Sequence, residues 1–135
     1  PSFACRALSG QPIEIYRDVS QIMDMIYVAD VAKILVRALE ETEKSGPPAL
    51  TYEAGTGRRT TVNDIAAIVV KEAAKYTGQA VEIAHLPMRP GENERSVVLG
   101  NPATLEPLGI DGSGFVPLEE GVVQTVAYFS TMLDE

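Results

Sequence analysis

Arg89, Glu92 and Arg95 fall within one short stretch, LPMRPGENERS, residues 86–96, flanked on both sides by apolar runs. Pro90 fixes its own φ and biases Arg89 toward an extended backbone, while Gly91 permits a sharp turn. An arginine oriented in this way presents a planar donor fork suited to phosphate. Glu92 can accept from a hydroxyl or steady the guanidinium. The plainer alternative is a surface turn in which arginine and glutamate pair with each other.

A second stretch, YEAGTGRRT (Tyr52–Thr60), places Gly55 and Gly57 before a helical pattern with Arg58 and Arg59 alongside. Free N–H groups there could cradle an anion. A dinucleotide fingerprint needs a third glycine three residues after Gly57, and Thr60 stands there instead. A strand-to-helix turn with a solvated arginine pair is the simpler reading. His85, the one histidine, has no Ser, Cys or carboxylate partner close in sequence and reads as a loop residue. The serines and threonines lie outside any nucleophile-elbow pattern, and no metal-ligand spacing occurs. Cys5, the one cysteine, sits among Phe3, Ala4 and Leu8 and reads as a buried thiol.

Composition narrows the classes. At 135 residues, with 45% hydrophobic and 22% charged residues, the chain is expected to form a single soluble domain over residues 1–135. Its formal net charge of −8 argues against nucleic acid, which calls for a basic stripe. No apolar run reaches the roughly 20 residues a bilayer span requires, so no membrane is expected. A single cysteine fits a reducing, cytoplasmic setting. From Ser96 to Glu135 there is no Lys or Arg, so an anionic ligand must be held by arginines upstream.

Three amphipathic helices must position these residues. The first spans about Ala29 to Lys44, with Val31, Ile34, Leu35, Ala38 and Leu39 on one face and Asp30 at its positive end. The second spans about Val62 to Tyr76, with a stripe of Val62, Ile65, Ala66, Val69, Val70 and Ala73. Thr61 with Asp64 three residues later resembles a capping box, with Asp in place of the usual Glu or Gln, and Gly78 is expected to end the helix. The third begins at Pro117, with Leu118, Val122, Val126, Phe129 and Met132 along one side. Pro1–Leu8 reads as the tail of a further apolar helix, which suggests an excerpt of something longer. Strands are expected at Ile13–Tyr16, Met25–Val28, Leu50–Ala54 and Val81–Ala84, with a weaker one at Arg95–Leu99. The alternation of strand and helix predicts an α/β fold.

Taken in order, these pieces resemble the C-terminal half of extended short-chain dehydrogenase/reductases, the NAD-dependent nucleotide-sugar epimerases and dehydratases. GQPIEIY resembles the strand after the family's substrate helix, and SQIMDMIYVADVAKILVRALE resembles its Q-x-R-D-F-x-Y-V-x-D-V-A segment. TYEAGTGRRTTVNDIA resembles Y-N-x-G-x-G…(S/T)-V, and RPGE resembles the R-P-G-(D/E) loop. LEPLGI…VPLEEGVVQTVAYF resembles the closing L-G-(W/I)…P-L-E-E-G-L helix. The resemblance implies the substrate-binding portion of an extended Rossmann-type fold, without its cofactor domain. It implies NAD as cofactor of the full-length parent, bound outside this segment, and a UDP- or dTDP-linked hexose as ligand. Arg89 matches the arginine on the substrate diphosphate, Glu92 the acid at the nucleotide ribose, and Glu14, Ile15 and Tyr16 the strand along the base.

The match has departures. Met23 replaces the second clamp arginine, Arg17 the usual glycine after the tyrosine, and Glu53 the asparagine of Y-N-x-G. The chain carries neither G-x-x-G-x-x-G nor Tyr-x-x-x-Lys. Hydride exchange at a sugar carbon requires a nicotinamide and a positioned base, so this segment is not expected to catalyse the family reaction alone. The strands at Met25–Val28 and Leu50–Ala54 are expected to have exposed edges, which would invite homo-oligomers. The alternative is a non-catalytic binding or assembly module that keeps the fold.

Overall fold

The computed structural model describes residues 1–16, 21–46, 51–87, 90–91 and 96–133. In chain order the elements are α1 (Ser2–Leu8), β1 (Ile13–Tyr16), β2 (Ile22–Met23), α2 (Val28–Ser45), β3 (Thr60–Thr61), α3 (Val62–Thr77), β4 (Ile83–Leu86), β5 (Val97–Val98), a 3-10 helix (Pro102–Leu108) and α4 (Leu118–Leu133). They group into two compact units. One comprises Pro1–Ile22, Thr60–Val97 and the chain from Glu119 onward; the other comprises Met23–Arg59 and Val98–Leu118.

The first unit contains α1, α3, α4 from Glu119 onward and a two-stranded parallel sheet. β1 pairs with β4 in the register Ile13↔Ile83 through Tyr16↔Leu86. Ile13 and Ile15 alternate with half-buried Glu14 and Tyr16, the period-2 pattern of a strand with one buried face. That face meets α1 and α3, which also pack on each other. Ala4 and Ala7 of α1 and Ala66 and Ala73 of α3 are all buried, and such small residues let helices approach closely. Burying Ile13 completely is worth about 1.5–3 kcal/mol. α3 starts at a complete capping box: the Thr61 hydroxyl oxygen accepts from the Asp64 N–H, and the Asp64 carboxylate accepts from the Thr61 N–H. It stops at Gly78, whose φ of 76° is left-handed, with its N–H donating to the Ala74 carbonyl. α4 buries Val122 and Val126.

The second unit has its core where α2 packs on the 3-10 helix. Ile34, Leu105, Leu108 and Phe115 are buried together, with Ile26, Ala38, Tyr52 and Ile110 against them. α2 has Tyr27 at its N-cap and no side-chain capping bond. Its first turn is held instead by Asp30, which is 1% exposed and accepts the Val116 N–H at 2.7 Å and the Lys33 ammonium at 3.1 Å. Lying inside the N-terminal turn, this carboxylate also faces the favourable end of the helix dipole.

Several sequence expectations shift. Met25–Val28 is not a strand: residues 24–27 have no regular structure and Val28 already begins α2, while the strand falls at Ile22–Met23. Residues 51–54 are likewise outside any strand, with Leu50 outside the described residues, because this segment is tied down by side-chain bonds instead of a ladder. The strand expected at Val81–Ala84 lies two residues later, at Ile83–Leu86, and carries exposed His85, so that histidine is on a strand and not in a loop. Of the expected face of α2, Ile34 is buried, but Leu35 and Leu39 are 65% and 62% exposed.

Candidate functional site

β1 delivers three of the five expected site residues on consecutive positions. Glu14 is engaged: the Arg6 guanidinium donates through Nη2 to Glu14 Oε1 at 2.8 Å and through Nε to the Pro12 carbonyl at 2.6 Å. This bracket joins the end of α1 to the start of β1 and sets the direction of the Glu14 carboxylate. Both side chains are about one-third exposed, so the ion pair contributes modestly to stability. Ile15 is 4% exposed, which leaves its backbone, not its side chain, for contact with a ligand. Tyr16 is half-buried and ends the strand opposite Leu86, where the 86–96 loop begins. Arg89 and Glu92 lie outside the described residues, as does Arg17. Within the loop Pro90 and Gly91 form an exposed turn, Gly91 at a φ of 86°. At its far end, the Ile22 N–H donates to the Ser96 carbonyl at 2.9 Å.

The glycine loop Tyr52–Gly57 has a resident anion, and it belongs to the chain itself. Asp24 Oδ1 accepts from the Thr56 N–H at 3.0 Å and from the Thr56 hydroxyl at 2.5 Å. Asp24 Oδ2 accepts from the N–H groups of Gly57 and Gly100 at 2.8 and 3.0 Å. Partial burial raises the Asp24 pKa, but the Thr56 hydroxyl and the three N–H donors outweigh it and hold the carboxyl below its ordinary value. A second staple runs in parallel: Glu53 Oε2 accepts the Asn101 N–H at 2.8 Å, and the Glu53 N–H donates to the Thr104 hydroxyl at 2.9 Å. The two backbones meet so closely that a Cβ at Gly55 would stand 2.8 Å from Gly100 Cα and 2.7 Å from Asp24 Oδ2. Gly57 adopts a φ of 69°, which keeps its N–H aimed at the carboxylate. Arg58 and Arg59 are exposed.

Sequence reasoning identifies the donors of this loop and misses their acceptor. The available signal is an acidic residue inside the apolar run IMDMIYV, since a carboxylate in such company must find donors. Asp30 reads from sequence as a dipole partner only, because its bond to Val116 spans 86 positions.

The comparisons agree with this architecture. Residues 1–55 match the family model of the NAD dependent epimerase/dehydratase family. The UDP-glucose 4-epimerase of Thermotoga maritima, solved with UDP-glucose, is 30% identical with a TM-score of 0.72; the match covers 98% of this chain and 39% of that one. The UDP-glucose 4-epimerase of Thermus thermophilus, solved with NAD, is 30% identical with a TM-score of 0.73, over 95% of this chain and 38% of that one. TunA, an NAD dependent NDP-hexosamine 5,6-dehydratase involved in tunicamycin biosynthesis, is 25% identical with a TM-score of 0.74, over 100% and 41%. The fold is thus that of a segment of the extended short-chain dehydrogenase/reductases, and the chain spans about two-fifths of the length of the structures it matches. The likeness is to the NAD-dependent epimerase/dehydratase family, whose model matches residues 1–55.

Proposed function

We propose that this chain is the nucleotide-sugar-binding portion of an NAD-dependent sugar epimerase or dehydratase, and that it does not catalyse the reaction alone. The observation that carries the reading is the match of nearly the whole chain to an epimerase solved with UDP-glucose. In this reading Arg89 holds the diphosphate, Glu92 the ribose, and the β1 residues Glu14, Ile15 and Tyr16 lie along the base, Ile15 through its backbone. Arg6 keeps the Glu14 carboxylate in place at that strand.

NAD is assigned to the parent enzyme and not to this segment. The one glycine loop with a dinucleotide-like pattern does not fit the cofactor, because its Thr56 and Gly57 N–H groups already donate to Asp24. No helix among the described residues is long and apolar enough to cross a membrane, and a cytoplasmic setting is part of the proposal. So is a homo-oligomer, favoured by the exposed aliphatic side chains of α2.

Calorimetric titration with UDP-glucose and dTDP-glucose tests the reading. Saturable heat is expected, and Arg89→Ala is expected to weaken binding by about tenfold or more, the scale of a charge-assisted bond to phosphate. Met23→Arg, at a position 42% exposed, is expected to strengthen it. Absence of heat with either sugar nucleotide would leave the binding or assembly module as the better account.

A further inference from the structure

We propose that Gly100–Val116 is a strap that opens from α2 and the Tyr52–Gly57 loop in one cooperative step, ahead of global unfolding. All of these segments lie in the second compact unit, so the device is contained within it and holds whatever ligand the protein takes.

Three carboxylates clasp the strap at its two ends. At the entry, Asp24 Oδ2 accepts the Gly100 N–H at 3.0 Å and Glu53 Oε2 accepts the Asn101 N–H at 2.8 Å. At the exit, Asp30 Oδ2 accepts the Val116 N–H at 2.7 Å. Between the clasps, Leu105, Leu108 and Phe115 are buried together with Ile34 of α2. The Glu53 N–H donates to the Thr104 hydroxyl at 2.9 Å, and Arg37 of α2 donates to the Leu108 carbonyl at 3.4 Å. Each of these bonds has a side chain on one side. The strap is thus held by separate clasps, where a strand would be held by a repeating ladder.

The strap's own structure is slight. Its one helix, Pro102–Leu108, is of the 3-10 type and contains Pro107. Short 3-10 turns have poor hydrogen-bond geometry, and a helix of this length does not persist without tertiary packing. Each end of the strap is also continuous with a buried anchor. Asn101 caps the 3-10 helix, its side chain accepting the Ala103 N–H and its carbonyl the Thr104 N–H, and that helix carries Leu105 and Leu108. Val116 directly follows Phe115. Release of either end therefore draws an anchor out of the cluster it shares with the other end, and the freed chain regains its conformational entropy at once. Segments with few buried contacts open in this way, as contiguous cooperative units.

The test is native-state amide exchange on the full chain, followed residue by residue by NMR at low urea concentrations. Gly100, Asn101 and Val116 are expected to share one opening equilibrium and one urea dependence. They are expected to be less protected than Ile13, whose N–H donates to the Glu82 carbonyl within the first unit. Asp30→Asn keeps an acceptor beside Val116 and removes its charge. It is expected to speed exchange at Val116 by about tenfold, and at Gly100 and Asn101 by the same factor, with Ile13 unchanged. Glu53→Gln, at an exposed position, is expected to speed the same three amides together by a few-fold, and it decides the matter if Asp30→Asn fails to fold. Acceleration confined to the amide beside the substituted side chain overturns the inference, because the two ends would then fray separately. A single protection level and urea dependence shared by the strap and Ile13 overturns it as well, since the strap would then open only when the whole chain unfolds.

Discussion

α2 and α3 are nearly equal in length and both amphipathic in sequence, yet they are held by opposite means. α3 carries its own start signal in the Thr61–Asp64 box and its own stop at Gly78, and its apolar stripe is buried or half-buried along its length. α2 has no side-chain cap; its start is secured from 86 positions away by Val116 on Asp30. Its aliphatic residues divide between two sides: Ile34 faces the core, while Val28, Leu35, Val36 and Leu39 are between 55% and 72% exposed. Periodicity reports that a helix has an apolar face. It does not report how much of that face the same chain covers.

Four substitutions and one titration break or sharpen this contrast. Ile34→Ala, on the covered side of α2, is expected to cost about 2–5 kcal/mol in denaturant unfolding. Asp30→Ala leaves the Val116 N–H without its acceptor and is expected to cost about 1–3 kcal/mol. For α3, Thr61→Ala removes the cap and is expected to cost about 1 kcal/mol, so the local signal proves weaker than the distant one. If Thr61→Ala proved costlier than Asp30→Ala, the ranking of the two devices would be reversed. Leu35→Ala, beside Ile34 but exposed, is expected to stay within about 0.5 kcal/mol.

Acid provides the titration. The Thr61 hydroxyl and N–H hold the Asp64 carboxyl below its ordinary pKa, and Asp24 is lowered as well by its donors. Groups depressed in the folded state contribute stability that is complete above the unfolded carboxylate range and is lost as pH falls through the folded value. Thermal unfolding should therefore be insensitive to these groups above about pH 4–5 and decline below it. Asp24→Asn should flatten part of that decline.

What can be read from the sequence follows the same division between local and distant causes. The α3 box, the Gly78 stop and the alternation of Ile13–Tyr16 are contained in a few adjacent residues, and each is legible. Residues 51–54 look like a strand by composition, but Glu53 bonds to Asn101 and Thr104, about fifty positions away. The glycines of Tyr52–Gly57 look like a place for an external anion because nothing nearby in sequence announces Asp24 as the occupant. For the proposed site, the β1 residues are placed on one strand as expected, whereas Arg89 and Glu92 fall outside the described residues.

The meeting of Gly55 and Gly100 has a consequence for how this protein can vary. With 2.8 Å between each Cα and the methyl the other would carry, neither position can be exchanged alone, and changing both makes the collision worse. In a saturation library selected for folding, the two would tolerate glycine only, a matched pair of sites separated by 45 residues.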